Sequence, residues 1–302
     1  MVANTALFGN HLDRDVNKIV FDEYITHAHE YVDIFHVLPA PKGNHYTEAE
    51  LSPFGPLRFV AEGDAVTFDL PVEGHKKTIY FSQWALGMVI TKQMYRDDLT
   101  GNWKKAPKVL AQSASQTIDG QAFDQFNRGF GTHLAWDGQF VFDTDHSTLK
   151  SGETISNDGV AASLTETSLR AGIEYFLNLR GESGFPLDIF PSVLLVPTSK
   201  VWAANQLVNN PKIVGSMNND FNMVSNANNP VSQLRVHTSR YLTSDTAYFL
   251  MAPEHGFYVM FKENLELTST DDFYTSSALF KVMTEFSPFV MDYKGSWGNE
   301  GA

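Results

Sequence analysis

The sequence predicts an α+β protein organised around a single long helix. Three observations carry that expectation. An apolar stripe of helical period runs from Leu110 to Phe126, alternating apolar and polar residues mark strands on both sides of it, and a helix–strand–helix run separates it from the last strands.

The helix starts near Pro107, where a missing N–H costs little and the fixed φ suits a first turn. Leu110, Ala114, Ile118, Ala122 and Phe126 then recur every four residues, with Ala111 and Phe123 beside them. The remaining face is uncharged or weakly polar: Gln112, Ser113, Ser115, Gln116, Gln121 and Asn127. Gly129 and Gly131 end it, so a helix over 103–130 is expected.

At 302 residues the chain has length for roughly two domains and a sizeable core. It has no cysteine, which removes disulfides, thiolate nucleophiles and zinc–sulfur sites. The net charge of −13 argues against a binder that works by neutralising phosphates, and against adhesion to anionic membranes. The first eight residues lack the basic and apolar regions of an export signal. No window approaches the roughly 18 apolar residues of a membrane span.

Ahead of the helix, Asp15 to Val32 has a helical look, with Val16, Ile19, Val20, Tyr24, Ile25 and Tyr31 spaced among polar residues. Pro39, Pro41, Gly43, Pro53, Gly55 and Pro56 then break regular structure. Residues 1–56 read as an arm lying across another surface, or as a loose extension. Ala65–Leu70 and Thr78–Phe81 alternate as two strands of a hairpin, which places Lys76 and Lys77 at its tip. An isolated hairpin is only marginally stable in water, so this one wants a neighbouring surface.

Beyond the helix, Trp136–Phe142 reads as a short strand region and Ser163-Leu164-Thr165-Glu166 as a capping box. The helix it opens would bury Leu169, Ile173, Phe176 and Leu177. A continuous apolar strand follows at Val193–Val196, and Thr198 or Ser199 caps a helix bearing Val201, Trp202 and Leu207. Residues 205–229 are rich in asparagine and read as a long surface loop. Strands return at 234–237, 247–251, 257–261, 265–270 and 278–286, the last with Phe280, Val282 and Phe286 on one side.

This order resembles the major capsid proteins of tailed bacteriophages, which share the Hong Kong 97-type fold, and most closely the Mu-like major head subunit group. Three stretches carry the resemblance. They are Val89-Ile90-Thr91 through Arg96-Asp97-Asp98 and Gly101 into the long helix, Phe142–His146 through the capped helix to Pro191–Pro197, and Ala247–Met251 with the closing strands. It covers about Leu57 to Lys294; the asparagine-rich loop and the tail after Tyr293 match no part of the pattern. The resemblance implies an N-terminal arm (1–56), an extended β-hairpin loop (57–86), a peripheral domain (87–162 and 265–302) containing the spine helix, and an axial domain (163–264). Some family members cross-link a lysine of the extended loop to a neighbouring subunit, which requires a neutral, desolvated amine and a carboxylate base.

The candidate intersubunit residues are Phe68, Leu70, His75, Lys76 and Lys77 on the loop, with Arg96, Asp97 and Asp98 before the spine helix. That charged trio could form intersubunit or turn-fixing ion pairs, or be ordinary surface charges worth under about 1 kcal/mol. Glu23, His27 and His29, and separately Asp143, Asp145 and His146, suggest a metal or acid–base site, but no His-Glu-x-x-His, nucleophile elbow or phosphate loop accompanies them. Hydrogen bonding within a turn or on a polar helical face is the plainer role. No catalytic residue, metal or cofactor is assigned.

The expected function is a non-enzymatic major head protein that self-assembles as hexamers and pentamers into an icosahedral shell around double-stranded DNA. Its location would be the virion, with assembly in the host cytoplasm, and scaffolding, portal and cement proteins are possible partners. A tail or decoration protein and a metal-dependent hydrolase built on Asp145 and His146 are the alternatives.

Overall fold

Residues 5–51, 54–71, 73–97, 102–148, 154–181, 184–212 and 234–302 are described by a computed structural model. In chain order the helices are α1 (Thr5–Thr26), α2 (Lys92–Asp97), α3 (Lys105–Asn127), α4 (Glu166–Asn178) and α5 (Val201–Asn209). The strands are β1 (His36–Leu38), β2 (His45–Leu51), β3 (Glu73–Tyr80), β4 (Ser82–Thr91), β5 (His146–Ser147), β6 (Thr154–Ile155), β7 (Val193–Pro197), β8 (Arg235–Ser239), β9 (Tyr248–Met251), β10 (Phe257–Asp272), β11 (Ser277–Val290) and β12 (Ser296–Asn299). They divide into two compact units.

The first unit comprises residues 1–46, 79–122 and 258–289. Its sheet has the order β1-β10-β11-β4, with β4 at one edge. The β11–β4 pairing is antiparallel over ten residue pairs, from Ser277↔Thr91 to Phe286↔Ser82, and β1 runs parallel to β10. Alternation puts Ala278, Phe280, Val282, Thr284 and Phe286 on the buried side of β11. Ala278, Phe280 and Val282 pack with Leu110 and Ala111 of α3. The apolar stripe of α3 is where the sequence places it, with Leu110, Ile118 and Ala122 buried here and Phe123 and Phe126 in the second unit. Ser115 and Asp119 are also fully buried, so the polar face of α3 is not simply a solvated one.

The N-terminal segment departs from the expected arm. Val16 and Val20, one turn apart on α1, are fully buried in the same cluster as Trp103, Leu110 and Phe280. The Asp119 carboxylate accepts the Tyr31 backbone N–H at 3.0 Å, fastening the chain beyond α1 to α3. The Val16/Val20/Tyr24 spacing is a core stripe, and it has a partner within its own chain.

The second unit comprises residues 47–78, 123–257 and 290–302. Its sheet has the order β12-β9-β7-β8, parallel between β7 and β8 and antiparallel elsewhere. Leu169, Ile173 and Phe176 of α4 cover it, packing with Leu194, Val196, Leu250 and Trp297; Leu177 instead stays half-exposed. The cap of α4 is Thr165, closed reciprocally by Ser168, rather than Ser163 with Glu166. Neither Thr198 nor Ser199 caps α5: both lie in a 3-10 turn, and Ser199 Oγ donates to the Asp245 carbonyl. Trp202 points outward, while Ala204 and Val208 are buried. A second core is aromatic, with Phe126 stacked on Phe257 (centroids 4.5 Å apart) and against Phe249.

Three further expectations change. Trp136–Phe142 holds one isolated bridge, Leu134↔Phe140, and no strand. The runs 257–261 and 265–270 are one sixteen-residue strand, β10. The last residues form β12, which pairs with β9 in the second unit, so residues 123–162 and 290–302 group with the sheet expected to stand apart from them. Most of the asparagine-rich loop lies outside the described residues.

Candidate assembly interface

The strands around the expected hairpin pair differently from the reading of the sequence. β2 pairs with β3, and Thr47 Oγ1 meets Thr78 Oγ1 at 3.0 Å across the pair. At the far end the Asp64 N–H donates to the Ala61 carbonyl at 3.0 Å, around Gly63 with φ +90°. Glycine there meets the positive φ that a type II turn needs. Thr47 opposite Thr78 and Ala61 opposite Asp64 belong to one antiparallel register. The tip is therefore Glu62-Gly63, and Lys76 and Lys77 lie near the base. Period-2 alternation alone could not fix this, since it does not say which strand a segment pairs with.

On either side of that turn stand five large apolar residues, Leu57 and Phe59 before it and Val66, Phe68 and Leu70 after it. The segment 54–71 forms no regular strand. Its tip is held by that turn and its inner end by the Gly55 N–H on Asp69 Oδ2 at 2.7 Å. All five side chains are exposed, Leu57 at 102%, Phe59 at 95% and Phe68 at 90%. Burying a large apolar side chain is worth about 1.5–3 kcal/mol, so these five forgo several kcal/mol by standing in solvent.

The base of the loop is, by contrast, firmly attached. Lys77 Nζ donates to the carbonyls of Leu134 and Val290 at 2.5 and 2.7 Å. Burial pulls its pKa down to about 8, against the smaller opposing field of Asp137. On β2, Glu50 Oε1 lies 3.0 Å from Lys294 Nζ with both side chains almost fully buried. Lys76 is exposed, and His75 Nε2 is buried without a hydrogen-bond partner. Arg96 and Asp97 pair with each other at 2.8 Å in full solvent, raising the pKa of the first and lowering that of the second. Asp98 lies outside the described residues.

A second surface of interest belongs to the first unit. β4 is a sheet edge whose ten residues include no charge and no proline, the features that ordinarily guard an edge. Trp84, Leu86 and Val89 on it are partly exposed. Beside it runs an apolar groove of about 280 Å³, lined by Trp84, Leu86, Leu110, Ile118 and Val282 among others.

The residues weighed for chemistry are engaged otherwise. His146 is fully buried, with Nδ1 2.6 Å from Asp137 Oδ2, Nε2 3.1 Å from Asn157 Oδ1 and its ring stacked 3.7 Å from that of Tyr293. Asp143 accepts from the Thr144 and Phe140 N–H groups, which is turn bonding. Glu23 Oε1 accepts from Gln112 Nε2 at 2.8 Å. Among the described residues, no group of three or more histidines and carboxylates could hold a metal ion. Glu50 and Lys294 were not legible as anchors, because they lie 244 residues apart in sequence.

Against this geometry, the profile of one family, described as phage capsid protein, matches residues 76–298, well over half of the chain. The chain belongs to the phage capsid protein family. A Mu-like prophage FluMu major head subunit of Haemophilus influenzae is 32% identical over 75 residues, which span 25% of this capsid chain and 24% of that protein. The match thus spans about a quarter of the length of that curated relative. The capsid of cyanophage P-SCSP1u superposes with a TM-score of 0.63 at 9% identity, covering 91% of this chain and 88% of the other. The mature capsid of bacteriophage PhiM1 gives 0.59 at 11% identity, over 88% and 85%. At such identities the likeness speaks for the fold alone, and that fold is the expected Hong Kong 97-type.

Proposed function

We propose that this capsid protein is the major head subunit, assembling through hexamers and pentamers into an icosahedral shell around double-stranded DNA. The observation that carries the reading is the set of large apolar side chains Leu57, Phe59, Val66, Phe68 and Leu70, all displayed in solvent on a loop held at its base and tip. Such a set gains its stability only against another molecule. A second copy offers a receptive surface in the uncharged β4 edge and the apolar groove beside it. Contact between two different patches is heterologous, the kind that closes into rings. In this reading Phe68 and Leu70 are contact residues, His75 and Lys77 set the base of the loop, and Lys76, Arg96, Asp97 and Asp98 lie at the rim. The spine helix with the β1-β10-β11-β4 sheet acts as the peripheral domain and the β12-β9-β7-β8 sheet as the axial domain.

The subunit works without catalysis. Its charge of −13 suits a container that must not grip phosphates as DNA enters and leaves, since tight binding would oppose both movements. Scaffolding and portal proteins would act during assembly in the host cytoplasm.

The test replaces Leu57 and Phe68 together by aspartate in the full chain, with particles counted by electron microscopy. The expected result is a soluble, folded subunit that forms no closed shells, beside a wild type that does. Normal shells from the double variant would overturn the proposal, as would tubes or monomers from the wild type.

A further inference from the structure

The loop and the first unit carry the same order of apolar and charged residues. On the loop, the apolar side chains flank a tip whose charged residues, Glu62 and Asp64, are both acidic and exposed. Neither carboxylate forms an ion pair among the described residues, and Asp64 holds the turn through its backbone N–H. In the first unit, the groove beside β4 runs along Leu110, Ala114 and Ile118 of α3. From Val109 to Asn127 that helix has no lysine or arginine, whereas Lys104, Lys105 and Lys108 crowd its start.

Those three lysines are exposed. Lys104 Nζ lies over the Trp103 ring, 5.6 Å from its centroid, and Trp103 packs in the cluster that includes Leu110. Lys92 at the head of α2 joins the same corner, because Tyr95 packs on Trp103 with ring centroids 5.2 Å apart. Lys108 meets Glu23 at 3.8 Å, while Lys92, Lys104 and Lys105 pair with no carboxylate among the described residues. Cations at the start of a helix oppose its dipole, and the first turn of α3 has no acidic residue to offset them. Their placement therefore does nothing for the helix that carries them.

We propose that the acidic loop tip of one copy docks on the lysine corner of a second copy, and so fixes the direction in which the loop lies along the groove. The proposal rests on the reading of the loop as a shell contact. The lengths agree. From Ala114, mid-groove, to Lys105 is nine residues of helix, about 14 Å at 1.5 Å each. From Phe68 to Asp64 is four residues of extended chain, about 13 Å. Laid the other way, the tip would reach a stretch of helix without a cation. Complementary charges of this kind set alignment more than they add affinity.

Two double variants of the full chain test this, the readout being the subunit concentration at which closed shells appear by light scattering and electron microscopy. Glu62→Lys with Asp64→Lys reverses the tip; Lys104→Glu with Lys105→Glu reverses the corner. Each is expected to raise that concentration about tenfold, and all four changes in one chain to bring it back within about threefold of wild type. The defect of the tip variant should fade in 1 M salt, where the screening length is about 3 Å. Tip-reversed chains that assemble like the wild type overturn the proposal, as does a combined variant no better than either double. Both results leave the shell reading standing; that reading fails instead if the wild type forms no closed shells. Should the corner variant not fold, Asp64→Cys with Lys104→Cys in this cysteine-free chain decides. Oxidised shells are then expected to give a ladder of linked subunits beyond the dimer on a non-reducing gel, and monomer alone overturns the contact.

Discussion

Glu50 and Lys294, separated by 244 residues in sequence, meet 3.0 Å apart with side chains only 7% and 9% exposed. Two charges taken out of water roughly balance each other, but either one left alone does not. Lys294→Met is expected to cost about 3–5 kcal/mol, read from the midpoint of chemical denaturation. The double variant Glu50→Leu, Lys294→Met should recover most of that loss. An additive double variant would contradict the pairing.

Gly298 sits in β12 against an aromatic wall. A methyl group at its Cβ position would lie 2.7 Å from the Phe142 ring and 3.0 Å from that of Phe130. Both rings pack, tilted, against each other and against Phe249, so neither can swing aside freely. Gly298→Ala is expected to lower stability by about 1–3 kcal/mol, measured by thermal unfolding.

Phe68 offers the opposite case. Its side chain is 90% exposed, so it contributes little to the isolated chain. Phe68→Ser should leave the unfolding midpoint of the unassembled subunit within about 0.5 kcal/mol of wild type. A loss of 2 kcal/mol or more (roughly the value of a buried aromatic) would mean that the side chain is covered in the subunit itself.

Asp158 carries a pH dependence of determined sign. Burial, with the nearby carboxylates of Glu300 and Asp143, raises its pKa from 3.8 to about 6. A carboxylate raised on folding destabilises the native state as pH climbs from 3.8 through 6, where the unfolded chain has already released its proton. Asp158→Asn is therefore expected to stabilise the protein at pH 7.5 by about 1 kcal/mol, allowing for partial solvent screening, and to have little effect at pH 4. Thermal melts at the two pH values would show it; an equal gain at both would refute the assignment.

The spine helix was legible because its stripe of Leu110, Ile118, Ala122 and Phe126 obeys a local period, and so were α4 and β7. The alternating apolar residues of the extended loop were legible too, as a feature in want of a surface. Its turn was not. Ala65–Leu70 shows the alternation of a strand, yet the register is set at Thr47 with Thr78 and at Ala61 with Asp64, outside the stretch where the pattern is strongest. The N-terminal helix shows the same gap, since Val16 and Val20 announce a buried face without naming Leu110 and Phe280 as what buries it.

By itself the sequence determined the helical stripes, the alternating strands and the acidic, cysteine-free character of this capsid protein, because periodicity and charge are properties of neighbouring residues. The tertiary structure decided that the first helix packs inward, that β12 closes the second sheet, and that Lys77 and Glu50 anchor the loop whose Phe68 side chain stays in solvent. Those outcomes depend on which distant groups come within a few ångströms of one another. No local pattern encodes that distance.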